Sequence, residues 1–197
     1  MKKKYITLWL FVLAFSAVHA QKIPSKDIQI KGAMLAAPIS LGEEATVYGY
    51  DAEGKFSVLK KGTNEMICLA DDPMKEGFSA SCYHQDLEPF MARGRALREE
   101  GKDFQEITSV REEEVKSGKL KMPADGSTLF VYYAPKEAYN AETGEVKNGS
   151  FRYVVYIPYA TSETTGLPLS PSAPGMPWIM DPGTHRAHIM ITPPPNE

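Results

Sequence analysis

STLFVYYA (Ser127–Ala134) and SFRYVVYI (Ser150–Ile157) are the two stretches that decide the architecture. Thr, Phe, Val, Tyr and Ile dominate both, and these residue types fit a pleated, packed surface. Side chains alternate along a strand. Leu129, Val131 and Tyr133 therefore face one way, and Phe130 and Tyr132 the other. In the second stretch Phe151, Tyr153, Val155 and Ile157 oppose Val154 and Tyr156. Both faces are apolar, which predicts central strands covered on both sides. The link between them, residues 135–149, carries Gly144 and the pair Asn148-Gly149, as a long hairpin loop does.

Upstream, Ala45–Tyr50, Lys55–Lys60 and Glu65–Ala70 read as three short strands. Asp51-Ala52-Glu53-Gly54 and Gly62-Thr63-Asn64 supply the turns, so the three form an antiparallel meander. Ser25 is placed to cap a helix running to Ala36, while Ile28 and Ile30 fit a strand equally well; Pro38 ends either. Asp86 caps the main helix, with Pro89 in its first turn and Gly101 just past its end. Leu87, Phe90, Met91, Gly94 and Leu97 share one helical face, while Arg93, Arg95 and Arg98 read as its solvated side. Residues 99–121 are dense in charge and read as an exposed excursion holding one short helix. Ser109-Val110-Arg111-Glu112 has the form of its capping box and Gly118 of its stop.

Downstream, residues 158–182 are rich in Pro, Ser, Thr and Gly, a composition that predicts coil. Asp181-Pro182-Gly183-Thr184 fits a type II turn, and His185–Thr192 reads as a closing strand. The fold class expected from these elements is α+β: an antiparallel sheet of five or six strands, one main amphipathic helix, and a long Pro/Ser/Thr-rich coil.

The first twenty residues read as a signal peptide. Three lysines precede an apolar run from Ile6 to Val18, which ends in Val18-His19-Ala20. Cleavage before Gln21 leaves 21–197 as a single exported globular domain, secreted or periplasmic, with no membrane anchor. Removing the leader takes three lysines and no acid, so the formal net charge moves from −3 to −6. That sign argues against nucleic acid as a partner. Cys68 and Cys82 are the only cysteines. An even count in an oxidising compartment predicts one disulfide.

Gly62-Thr63-Asn64, Cys68, Asp71-Asp72-Pro73, Cys82 and His188-Ile189-Met190-Ile191 carry a resemblance. The chain resembles a group of uncharacterised exported bacterial proteins. Those proteins have a short meander, a Gly-Thr-Asn-x-x-x-Cys stretch, a second nearby cysteine and a closing His-x-Met-Ile strand. The charged segment 99–121 is longer here than in that group. The resemblance implies fold and export and carries no activity.

Chemical motifs are sparse. There is no Gly-x-Ser-x-Gly elbow, no phosphate-cradling glycine loop and no dinucleotide fingerprint. His185 and His188, with Asp181 and His84, offer metal-ligand chemistry. In a strand, however, residues three apart point to opposite faces, so the spacing speaks for structural roles. Six aromatics could form a sugar-stacking platform: Tyr132, Tyr133, Tyr153, Tyr156, Tyr159 and Trp178. Strand position assigns most of them to the core and leaves Tyr159 and Trp178 as possible ligand contacts. The expectation is a non-catalytic domain that binds an unidentified ligand or protein partner and needs no cofactor. The alternative is a metal-dependent or carboxylate-based hydrolase built around His185.

Overall fold

A computed structural model describes residues 23–194. The leader expected at 1–20 lies outside the described residues. The first helix, α1 (Lys26–Met34), starts where Ser25 Oγ accepts the N–H of Ile28. Three strands follow: β1 (Thr46–Tyr50), β2 (Phe56–Lys60) and β3 (Met66–Leu69). Then come β4 (Phe78–His84), α2 (Glu88–Glu99) and α3 (Phe104–Lys116). The long strand β5 (Ser127–Ala134) leads through a small hairpin, β6 (Tyr139–Asn140) and β7 (Glu145–Val146), into β8 (Ser150–Tyr156). A short helix α4 (Ser162–Thr165), β9 (Trp178–Met180) and β10 (His188–Ile191) complete the chain.

The protein is α+β, but the sheet is larger than expected and it is mixed. Eight strands lie in the order β2-β1-β3-β4-β5-β8-β10-β9. Seven pairings link them; six are antiparallel, and β1 and β3 run parallel. The expected meander is therefore reordered. After β2 the chain crosses back over β1 and enters on its far side. Gly62 makes the crossing possible. A Cβ there would stand 2.3 Å from the backbone of both Glu44 and Thr46, so no other residue fits without moving β1. Its N–H donates to Thr46 Oγ1, and Asn64 Nδ2 donates to the carbonyl of Leu41.

Two strands escape a propensity reading. β9 hides in the Pro-rich coil. β4 begins between the two cysteines, where Phe78, Ala80 and Cys82 face α1 and Ser79, Ser81 and Tyr83 face the other way. Cys68 and Cys82 stand opposite each other in the β3–β4 ladder and are disulfide-bonded. Both are fully buried under α1. The bridge thus staples two neighbouring strands and closes the loop between them.

α1 covers one sheet face over Val47, Met66, Phe78 and Ala80. Gln29 ties it to β1 as a strand would: its side chain accepts the N–H of Tyr50 and donates to the same residue's carbonyl, both at 2.8 Å. α2 covers the other face over Ile67 and Tyr83, through Leu87 and Phe90. β5 and β8 are central, as expected, but half-exposed along most of their length rather than covered on both sides.

The charged segment 99–121 is exposed over most of its length, and its helix also packs against the body of the protein. α3 packs on α2. Its capping box is Asp103 with Glu106, six residues earlier than the sequence pattern suggested, each backbone N–H bonded at 2.9 Å. One of its acids is buried: Glu114, 8% exposed, binds Arg93 through both oxygens. No helix among the described residues is long and apolar enough to cross a membrane.

Candidate functional site

A cleft of about 910 Å³ opens between α2 and the sheet face it covers. Tyr50 of β1, Phe56 of β2 and Ser81 of β4 line one side, and Phe90, Gly94 and Arg98 of α2 the other. Arg111 of α3 and Tyr156 of β8 are also in its lining, and the loop after β3 brings in Asp71 and Asp72. This size suits a small organic ligand.

Some of the charges around the cleft are already matched. Arg95 pairs with Glu88, donates to the Tyr83 hydroxyl at 3.1 Å and lies over the Phe56 ring. Asp72 pairs with Lys75 at 3.1 Å. Arg93, on the neighbouring helical face, pairs with Glu114 and Glu100.

Two partly buried charges, Arg111 and Asp71, form no ion pair with any described residue; the exposed Lys55, Arg98 and Glu99 of the lining form none either. The Arg111 guanidinium sits 3.9 Å over the ring of Phe90. Its one hydrogen bond goes to the Phe90 carbonyl at 3.3 Å, and its buried Nε has no partner among the described residues. No described carboxylate forms an ion pair with it. Burial pulls the group down to about 10. Gly94 makes the seat: a Cβ on that residue would lie 2.9 Å from the guanidinium nitrogen. Arg98, exposed and also without an ion pair among the described residues, lines the same space. The second unmatched charge is Asp71. Its Oδ1 accepts the N–H of Ser79 at 2.8 Å, and it forms no ion pair with any described residue. Burial pushes its carboxyl up to about 6, against that hydrogen bond.

A second depression, of about 950 Å³, lies beside the 122–128 loop and includes His84. Its chemistry is spent internally: His84 stands 3.0 Å from Glu65 and 3.3 Å from Asp86.

The four residues considered as metal ligands are not gathered. His84 holds Glu65 and Asp86. Asp181 lies 3.1 Å from Arg186 Nε, in the turn that Gly183 (φ 74°) allows. His188 bonds the carbonyl of Arg186 through Nδ1. His185 is fully buried, lies in the turn before β10 rather than in the strand, and bonds Glu112 through Nδ1. Among the described residues no three His, Cys, Asp or Glu side chains are arranged to hold a metal ion. Of the two expected ligand contacts, Tyr159 is 41% exposed and Trp178 is half-buried on the edge strand β9; neither lines the cleft.

The His185–Glu112 link is a structural latch between α3 and the C-terminal segment. A carboxylate only accepts, so Nδ1 carries the proton. Glu112 also accepts the backbone N–H of His185 at 2.9 Å and pairs with Lys116. Burial works against the Glu112 charge, yet these three donors hold its carboxyl down to about 2. Burial pulls the His185 imidazole below its ordinary value, against Glu112. For a carboxyl depressed in the folded state, stability is present above the unfolded value and lost as pH falls towards the folded one. Glu112→Gln should therefore cost about 2 kcal/mol at pH 7, as expected for bonds to a charged group. The gap between wild-type and variant urea midpoints should narrow from pH 7 to pH 3. Asp71, common to both proteins, drops out of that difference. An unchanged gap would refute the latch.

The cleft is hidden in the sequence because Arg111 stands in a stretch with the form of a capping box and Asp71 in no chemical motif. One signal was present: Gly94 interrupts a helix of otherwise good helix formers, and such a glycine marks a close approach. No family model, curated protein or solved structure matches the chain.

Proposed function

We propose that this is an exported, non-catalytic ligand-binding domain whose cleft beneath α2 takes a small organic anion. One observation carries the reading. Arg111 is a largely buried guanidinium with no acidic partner among the described residues, and it opens onto a cleft that Arg98, also without an ion pair among them, lines. Burying an unpaired charge costs stability. A bound carboxylate or phosphate would satisfy the fork of donors, in the bidentate geometry for which arginine is suited. Phe90, Tyr156 and Phe56 supply apolar surface for the ligand's body. The leader at 1–20 and the resemblance to exported bacterial proteins support a secreted or periplasmic location. His185 gives the hydrolase alternative no support, because it is fully buried and engaged with Glu112.

The test is Arg111→Met. Without ligand the variant should lie within about 1 kcal/mol of the native protein, because losing an unpaired buried charge stabilises while losing the cation–ring contact with Phe90 destabilises. A pool of aliphatic and aromatic carboxylates and phosphates should raise the native melting temperature and leave that of the variant unchanged. If no member of the pool stabilises the native protein, the reading fails.

A further inference from the structure

The cleft offers more than an anion site. Asp71 and Arg111 carry opposite charges, line the same cavity, and do not pair with each other or with any other described residue. Folding alone gives no reason to hold two desolvated, mutually unsatisfied charges across one space. A ligand bearing both signs would answer both. Resting on the anion reading above, we propose that the ligand is a zwitterion, a short peptide with free ends. Its carboxylate would meet Arg111 and Arg98, and its ammonium would meet Asp71.

Three further features agree. The same cleft has apolar and aromatic surface, with Phe56, Leu69, Phe90 and Met91 in the lining. Such surface suits side chains rather than a second phosphate. The volume, about 910 Å³, admits a few residues and excludes a folded partner. Asp71 keeps Oδ1 on the Ser79 N–H, so one carboxylate oxygen remains for an incoming donor.

The experiment uses three pools of mixed tripeptides, applied to the mature protein and read by melting temperature and calorimetric titration. One pool has both ends free, one is N-acetylated, and one is C-amidated. The free-ended pool should stabilise the native protein, and each blocked pool should bind about tenfold more weakly or worse. Asp71→Asn keeps the acceptor for Ser79, and its ligand-free melting temperature reports whether it folds. That variant should lose affinity for the free-ended pool and treat free and N-acetylated peptides alike. Arg111→Met should treat free and amidated peptides alike. If N-acetylated peptides or simple carboxylates bind the native protein as well as free-ended peptides do, the zwitterion proposal is overturned while the anion reading stands. If neither peptides nor anions bind, both are overturned.

Discussion

Replacing Phe90 with alanine should lower the stability of the protein by about 3–5 kcal/mol, the range for truncating a fully buried aromatic. Phe90 is 1% exposed and joins three parts of the molecule. Its ring meets Tyr156 of β8 at 5.3 Å and His185 at 5.7 Å, both edge to face. Its ring also carries the guanidinium of Arg111, which would lose its aromatic support. A cation over a ring is worth up to about 2 kcal/mol when desolvated, so part of the loss is electrostatic. Phe90→Leu keeps most of the volume but not the ring. Native, leucine and alanine proteins should therefore rank in that order in urea midpoint. A loss below about 1 kcal/mol for the alanine variant would show that α2 and α3 are held by other contacts.

Removing the disulfide is the second large perturbation. Cys68→Ala together with Cys82→Ala releases a loop of about 15 residues, worth about 3 kcal/mol of unfolded-state restriction. A local effect should accompany the global one. The freed loop holds Asp71, whose position depends on the Ser79 N–H at the start of β4. Hydrogen exchange at Ser79 should quicken in the double variant more than at Val154, which β5 and β10 flank. Equal protection at both amides would mean that the ladder, not the bridge, holds the loop.

The features legible in the sequence were those governed by local chemistry. Ser25 as a cap, Pro89 in a first turn, Gly101 and Gly118 past helix ends, and the type II turn at Asp181–Thr184 all depend on neighbours a few residues away. Alternation also placed the side chains of β5 and β8 on the correct faces, as the pairing of Leu129 with Val154 shows. The disulfide followed from compartment and parity. Strand order did not follow, because the parallel pairing of β1 with β3 depends on what a Cβ at residue 62 would strike, and nothing in Gly62-Thr63-Asn64 distinguishes a turn from a crossing. The paired acids of α3 were hidden for a related reason. Glu112 and Glu114 look like solvated charge until His185, 73 residues away, and Arg93, 21 away, are brought against them. The cleft required the same long-range assembly, since Asp71 and Arg111 are far apart in the chain and come to line one cavity only in the fold.

The position of β10 bears on how this protein comes to exist at all. The strand nearest the C-terminus fills an interior slot, between β8 and the rim strand β9. Until residues 188–191 emerge, β8 presents an open hydrogen-bonding edge rich in aromatic and branched side chains, a template for pairing between molecules. A nascent chain stalled short of its end is thus the species most prone to clump. Threading across a membrane before folding would postpone sheet closure until every strand has arrived.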